Sequence, residues 1–305
     1  MFGSFRRLSS VLPTSTDLVN ILVESGELWG TSVPLRHGNR TPRAGRSGKV
    51  WFMVNGTGTS FAGGGNGRGP LGWIRRHWGD QAPVVTVAIT LICIVAWVIQ
   101  MVLYLLAPLR YQRLLLGYWA FVPITAIHEP WMFVTNIFLH ATNVSHILFN
   151  MITLWVVGPV LENLIGHGRF LALYMISGLG GDLGLMVYAV LSPNGWGTSA
   201  IGASGALFGL FAAILVVYRR LGINIVSMVV WMAINFCMPL FVPGIAWQDH
   251  VGGFIVGGLF MLALLHMGRP GSRVHGLLSW LLPMLIFLVV LVLLALGCNM
   301  FNPMR

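Results

Sequence analysis

The stretch Gly202-Ala203-Ser204-Gly205-Ala206-Leu207-Phe208-Gly209 begins an apolar run that ends at Arg219-Arg220. It places one serine at the first turn of a predicted membrane helix, where free backbone N–H groups and the helix dipole favour negative charge. Small neighbours leave the hydroxyl accessible and let a second helix pack closely. Taken alone, the stretch also fits a plain packing motif, in which Gly205 and Gly209 form a small face and Ser204 has no chemical role.

The composition is that of a membrane protein. Of the 305 residues, 56% are hydrophobic and 9% charged, and the mean hydropathy is +0.80, which predicts several membrane spans. The net charge is +10, and ten of the eighteen Lys and Arg residues lie in residues 1–76. Because no nucleic-acid-binding motif accompanies this charge, attraction to an anionic lipid bilayer is the simpler interpretation, and no nucleic acid partner is predicted.

The apolar runs predict an all-α, polytopic membrane bundle of seven spans. The runs cover residues 83–106, 146–165, 170–191, 204–218, 223–241, 249–267 and 277–296. Residues 107–145 are too interrupted to span but rich in aromatic residues, which is typical of a loop embedded at the membrane interface. Residues 1–75 are polar, Arg-rich and Gly-rich, so we expect a disordered cytoplasmic tail.

Basic residues between the spans predict the orientation. Seven of them fall on one side of a seven-span chain and three on the other. The positive-inside rule assigns the side with the larger group to the cytoplasm. The larger group is Arg75, Arg76, Arg169, Arg219, Arg220, Arg269 and Arg273, and the smaller is Arg110, Arg113 and Arg305. We therefore expect a multi-pass cell-membrane protein with a cytoplasmic N-terminus and an extracytoplasmic C-terminus.

Spans two, four and six then run in the same direction, and each carries a polar residue near its outer end. Counted back from basic residues at the inner ends, Asn150, Ser204 and His250 lie ~25, ~22 and ~24 Å up the helix axis at 1.5 Å per residue. His146 lies one turn before Asn150. Polar groups at one depth on three helices predict a water-lined site, and Ser with His indicates nucleophilic hydrolysis.

The chain resembles the rhomboid family of intramembrane serine proteases. The resemblance rests on an ordered set of motifs across about residues 83–267. They are Phe138-Leu139-His140, His146-Ile147-Leu148-Phe149-Asn150-Met151, the turn from Glu162 to Phe170, Gly202-Ala203-Ser204-Gly205 and Asp249-His250-Val251-Gly252-Gly253-Phe254 with Gly257. It implies a six-helix protease core at 83–267, with an additional C-terminal helix at 277–298.

The resemblance also implies a role for each site residue. Ser204 is expected to be the nucleophile and His250 the general base, as a dyad without an acid. His146, Asn150 and the Ser204 N–H are expected to bind the oxyanion. A second group is expected to pack the site: Gly202, Gly205, Phe208, Gly253 and Gly257. In this group Phe208 is predicted to lie beneath the His250 ring, and Gly253 and Gly257 to face Gly205 and Gly209.

Four positions depart from the family pattern or carry no assigned role. Met132 follows Trp131 where the family often has Arg. Asp249 stands where the family commonly has Ala, and because adjacent helical residues point about 100° apart, we interpret it as a solvated cap rather than a third catalytic residue. Asp182 is expected to have a buried partner. His140 is expected to hydrogen-bond within its own loop, the alternative being that it lines the cavity.

These observations predict an endopeptidase that cuts transmembrane or membrane-adjacent segments near the outer face, with no cofactor and no metal. The alternative is a non-proteolytic rhomboid-like protein that binds client transmembrane helices. A transporter is disfavoured because the chain has no repeated halves or further charges along a pathway. The three cysteines are far apart and predict neither a disulfide framework nor a metal site. Nothing in the sequence defines the oligomeric state or the substrate.

Overall fold

The computed structural model describes residues 82–241, 244–267 and 276–304. The predicted tail 1–75 lies outside this range, as do five of the basic residues used for the orientation. The disordered tail and the membrane orientation therefore stay predictions. Within the described residues the chain is helical apart from turns and one isolated bridge between Phe121 and Ala200.

Nine α-helices make up the described part of the chain. In chain order they are α1 Val84–Leu106, α2 Leu109–Trp119, α3 Met132–Thr135, α4 Val144–Ile165, α5 His167–Leu191, α6 Ser204–Leu221, α7 Val226–Phe241, α8 Trp247–Met267 and α9 Leu278–Asn299. Short 3-10 helices follow α3 at Asn136–Phe138 and α5 at Pro193–Gly197. Six of the helices, α1, α4, α5, α6, α8 and α9, are long and apolar enough to cross a membrane. The predicted polytopic helical bundle is confirmed.

The predicted fifth span differs from the others. We expected residues 223–241, whereas α7 begins at Val226 and is the shorter apolar helix among the described residues. Two local features set its start. Gly222 takes a left-handed conformation, φ 70°, that ends α6. The Asn224 side chain then accepts the Val226 N–H at 2.8 Å, as an N-terminal cap does.

Two further boundaries follow from capping residues. The sequence interpretation started span two at His146, but α4 begins at Val144 because the Asn143 side chain accepts the His146 N–H at 2.9 Å. The turn between α4 and α5 is made at Gly166, whose φ of 86° is available to glycine at little cost.

Helix α8 lies against both α5 and α6, and glycines allow this approach. A Cβ at Gly253 would collide with the Gly205 backbone, and one at Gly257 with the Gly209 backbone. On the other side, a Cβ at Gly252 would collide with the Gly180 carbonyl. In a bilayer, helices associate largely through such close van der Waals packing, since lipid chains are as apolar as the side chains. These glycines therefore bring the start of α8 against the start of α6.

A buried carboxylate attaches α1 to the rest of the bundle. Glu162, near the end of α4, accepts the Val85 and Thr86 N–H groups, each at 2.8 Å, and the Thr86 hydroxyl at 2.7 Å. Helix α1 has no side-chain cap of its own, so Glu162 satisfies two of the N–H groups that a helix start leaves free. His167 Nδ1 lies 2.5 Å from the same carboxylate.

The segment 107–143 is ordered by hydrogen bonds that the sequence did not reveal. It contains α2, where only an irregular interfacial loop was expected. Gln100 on α1 holds its far end, because its side chain accepts the His140 N–H at 3.1 Å and donates to the His140 carbonyl at 3.0 Å. Near the middle, the Trp131 indole donates to the Tyr118 carbonyl at 2.8 Å.

Candidate active site

Ser204 is the first residue of α6 and is half-buried. The backbone reaches it through Gly202, whose φ is 133° and whose N–H donates to the Asn136 carbonyl at 3.0 Å. This φ value lies in a region that L side chains rarely adopt, so the turn requires glycine. The turn lets the chain enter α6 with Ser204 in its first turn, at the positive end of the helix dipole.

His250 is buried, 5% exposed, in the first turn of α8. Its imidazole stacks on the Phe208 ring, with centroids 4.2 Å apart and planes 20° apart. The predicted contact is present, while the catalytic role of His250 stays a prediction. Phe208 is one turn after Ser204 on the same face of α6, so the stacking holds the imidazole alongside the face that carries the serine.

An aromatic cluster supports this stacked pair. Phe208 also contacts Phe236 of α7, with ring centroids 4.4 Å apart, and Phe236 in turn lies 5.8 Å from Phe254 of α8. Edge-to-face contacts of this kind favour one ring orientation. The described residues give His250 Nδ1 no hydrogen-bond partner. Packing, rather than an acidic side chain, therefore orients the imidazole.

His146 and Asn150 lie on one face of α4, four residues apart, and both border Gly202. A Cβ at Gly202 would lie 2.9 Å from His146 Nε2 and 3.6 Å from Asn150 Nδ2. Glycine thus keeps open the space beside two potential donors. Asn150 Nδ2 is buried and has no partner among the described residues. His146 Nδ1 is held by the Ala141 N–H at 3.2 Å, which leaves Nε2 as the nitrogen directed toward the turn before Ser204.

The imidazole rings of His140 and His146 lie close together. His140 lies outside the spans, and its ring is 5.4 Å from that of His146. Burial first, and then the nearby His146, lower the pKa of His140 from 6.5 to about 3, against the opposing effect of its hydrogen bond with the Phe138 carbonyl. His140 is therefore neutral at physiological pH. Its hydrogen bond within the loop agrees with the prediction from sequence.

Asp249 corrects the sequence interpretation. We expected a solvated cap, but Asp249 is 6% exposed and its carboxyl fills the gap between α5 and α6 at Gly181 and Gly205. The glycine contacts bring the helices so close that the start of α8 is covered.

The partner expected for Asp182 is Asn136, whose Nδ2 donates to Asp182 Oδ2 at 3.1 Å. Neither pairing has a local sequence signal, because the residues are far apart in the chain.

The packing glycines also enclose Ser177, which the sequence analysis did not single out. A Cβ at Gly209 or at Gly257 would collide with the Ser177 hydroxyl. Ser177 is fully buried on α5, so three helices meet at this point. The small residues predicted to pack the site, Gly205, Gly253 and Gly257, all take part in close backbone contacts.

The described residues contain no group of three or more His, Cys, Asp or Glu side chains arranged to hold a metal ion. Their three cysteines are free thiols, and Cys93 is buried. The chemistry available at the site is therefore that of a hydroxyl, imidazoles, an amide and backbone N–H groups at a helix start. Such a set can supply a nucleophile, a base and oxyanion donors.

Comparison with known proteins identifies related sequences. A family model described as Rhomboid domain matches residues 128–268. The chain is 35% identical over 159 residues to Rhomboid protease GluP of Bacillus subtilis (strain 168), covering 50% of this chain and 29% of that protein. It is 37% identical over 150 residues to RHOMBOID-like protein 1 of Arabidopsis thaliana, covering 47% of this chain and 36% of that protein.

A third relative is covered over most of its length. This relative is YdcA of Bacillus subtilis (strain 168), which is named as a rhomboid protease. The chain is 33% identical to it over 150 residues, covering 48% of this chain and 71% of that protein. The chain thus spans about a third of the first two relatives, 29% and 36%, and most of the third. With the family model over the helices that carry Asn150, Ser204 and His250, the chain belongs to the rhomboid family.

Proposed function

We propose that this protein is an intramembrane serine endopeptidase that cleaves transmembrane or membrane-adjacent segments through a dyad of Ser204 and His250. One observation carries the proposal: His250 is stacked on Phe208, one helical turn after Ser204. The stacking supports a base held next to the nucleophile without an acidic residue. The relatives named as rhomboid proteases support the same reaction class.

In the proposed reaction, the Ser204 hydroxyl attacks the carbonyl carbon of the scissile peptide bond while His250 takes its proton. The tetrahedral intermediate collapses when the imidazolium gives this proton to the leaving amine, which produces an acyl-enzyme and frees one product. Water, deprotonated by His250, then attacks the ester carbonyl, and the Ser204 oxygen leaves and regains a proton. Each turnover hydrolyses one peptide bond and restores both side chains.

Charge develops on the substrate carbonyl oxygen during both attacks. We assign its stabilisation to the Ser204 backbone N–H, Asn150 Nδ2 and His146 Nε2. The space beside Gly202 supports this assignment, since a Cβ there would lie near both side chains. Donors fixed before reaction stabilise the transition state more than they stabilise the substrate.

The depth of the site defines the substrate. A helical segment hides its carbonyl groups in internal hydrogen bonds, so cleavage requires local unwinding. Gly or Pro lowers that cost by about 1 and 3 kcal/mol relative to Ala. We therefore propose cleavage next to a small residue near the outer end of a client helix, with helix-breaking residues nearby. The sidedness rests on the positive-inside rule.

The test uses purified protein in liposomes with a single-span client that carries Gly and Pro near one end. Wild-type protein is expected to cleave this client and to react covalently with a fluorophosphonate probe, whereas Ser204→Ala and His250→Ala insert normally and do neither. Mass spectrometry of the products locates the cut. Cleavage retained in Ser204→Ala would contradict the dyad.

A matched client in which Gly and Pro are replaced by Leu tests the unwinding step. We expect much slower cleavage of this client by the same enzyme. Equal rates for the two clients, or a cut at the cytoplasmic end, would contradict the proposed substrate class without affecting the dyad. Client retained by the wild-type chain but never cut would instead favour the non-proteolytic alternative.

A further inference from the structure

Asp249 precedes His250 in the first turn of α8, and its carboxyl lies against two glycines of neighbouring helices. A Cβ built on Gly205 would lie 2.5 Å from Asp249 Oδ2, and one built on Gly181 would collide with Asp249 Oδ1. The carboxyl therefore occupies the space between α5 and α6. His250 Nδ1 has no partner among the described residues, so Asp249 is not the acid of a triad.

The start of α6 lacks a cap from its own sequence. Ala203 precedes the helix, and its methyl side chain cannot accept a backbone N–H from the first turn. The Asp249 carboxyl instead lies against Gly205, whose N–H is in that first turn: a Cβ built on Gly205 would be 2.5 Å from Oδ2 and 2.7 Å from Oδ1. A helix start leaves such groups without an intrahelical partner, and a carboxylate there is favoured by the dipole. Asp249 also lies in the first turn of α8, so two helix starts favour a negative charge at this position.

A second set of polar contacts holds the turn before the serine. Asp182 on α5 is fully buried and follows Gly181, which contacts the Asp249 carboxyl. Asp182 Oδ2 accepts Asn136 Nδ2 at 3.1 Å, and the Asn136 carbonyl accepts the Gly202 N–H at 3.0 Å. The contacts fix Gly202 on one side of Ser204 and Gly205 on the other.

We propose that Asp249 is a positioning residue, which joins the helix of the base to the first turn of the helix of the nucleophile and so fixes Ser204 relative to His250. This inference rests on the proposed function. It goes beyond the family pattern, in which the position commonly holds Ala, a residue without an acceptor. The contact works through the carboxyl oxygen as an acceptor, rather than through charge transferred to His250.

Two substitutions of similar shape separate an acceptor role of the Asp249 carboxyl from an effect of its charge on His250. Asp249→Asn keeps an oxygen that can accept the Gly205 N–H and removes the negative charge. Asp249→Leu keeps the branched shape and loses the acceptor. Both are compared with wild type in liposomes by kcat, KM and the rate of fluorophosphonate labelling at Ser204.

We expect Asp249→Leu to lower kcat and the labelling rate about tenfold, with KM little changed. This factor is the free energy of a lost helix cap converted to a ratio of rates. Asp249→Asn is expected to stay within about twofold of wild type, since a neutral acceptor replaces the original one. Asp249→Ala, which also lacks the acceptor, replaces the Leu variant if that variant fails to insert.

The contrary outcomes are distinct. Unchanged kcat in the Leu or Ala variant, or a change confined to KM, would overturn the positioning role. A loss in Asp249→Asn as large as in Asp249→Leu would show that the charge acts on His250 and would also overturn it. If the wild-type chain neither cleaves nor labels, the proposed function fails and the inference with it, whereas an active wild type with an unaffected Leu variant overturns the inference alone.

Discussion

The imidazole of His250 lies against the ring of Phe208, with centroids 4.2 Å apart and planes inclined by 20°. In soluble serine hydrolases a carboxylate orients the catalytic histidine, whereas the group that supports the imidazole of His250 is an aromatic ring. The ring fixes the imidazole plane through contact area, which remains effective in a site where burying an additional charge is costly.

Phe208→Leu should therefore lower turnover without removing activity. An aromatic pair is worth about 0.5–1.5 kcal/mol beyond its buried area, which corresponds to a fall in kcat of about twofold to tenfold. The matched control is Phe211→Leu, which truncates a buried ring on the same helix that does not stack on His250. Equal kcat losses in the two variants would assign the effect to general packing. Steady-state cleavage in liposomes provides the measurement.

Asn150→Ala should act on kcat rather than on KM. Its Nδ2 is buried without a partner among the described residues and borders the space beside Gly202, so its donor is available to the transition state. Loss of one oxyanion donor typically lowers turnover by about 10²–10³, although His146 and the Ser204 N–H can reduce this loss. Ser145→Ala, an exposed change on the same helix, is the control. A raised KM with normal kcat would contradict the oxyanion role.

Gly253→Ala should destabilise the bundle and inactivate it, because the new methyl group would collide with the Gly205 backbone. Overpacking of this kind typically costs about 1–3 kcal/mol, and here it would also separate α8 from α6. Gly297→Ala on α9 is the control, since nothing lies within 4 Å of its added Cβ. Thermal unfolding in detergent and client cleavage are compared for both. If the two variants melt alike, the close approach is not needed for stability.

Glu162→Ala should destabilise the attachment of α1. It leaves the half-buried Val85 N–H and the buried Thr86 N–H without their acceptor, at a cost of about 2–5 kcal/mol for a lost charged partner. Glu162→Gln keeps one acceptor oxygen and should lose less stability. Thermal unfolding measures the difference, and protease digestion reports the release of α1. Equal stability of wild type and Glu162→Ala would show that packing alone holds this helix.

His140 should make stability depend on pH. Its pKa of about 3 in the folded protein lies below the value of 6.5 expected when unfolded, so the unfolded chain binds more protons as the pH falls from 6.5 toward 3. The free energy of unfolding should therefore decrease in that window. In His140→Asn, which does not titrate there, the decrease should be smaller. Parallel wild-type and variant curves from pH 7.5 to 5 would contradict this account.

The membrane class, the positions of most helices and the set of candidate residues can all be predicted from the amino-acid sequence. Runs of about 20 apolar residues are detectable without any tertiary contact. Helical periodicity then relates Ser204 to Phe208 on one face and His146 to Asn150 on another. Glycines at Gly205, Gly209, Gly253 and Gly257 indicated close packing between two particular helices.

The contacts between those helices cannot be predicted in the same way, because they depend on how the helices pack. Asp249 was expected in solvent because its position along α8 says nothing about a third helix, and it is buried because α5 also packs against that end. The Glu162 contacts with the start of α1, and the Gln100 contacts with His140, join residues 76 and 40 positions apart. Such pairs follow from how whole helices dock, and docking depends on shape across the bundle rather than on any local pattern.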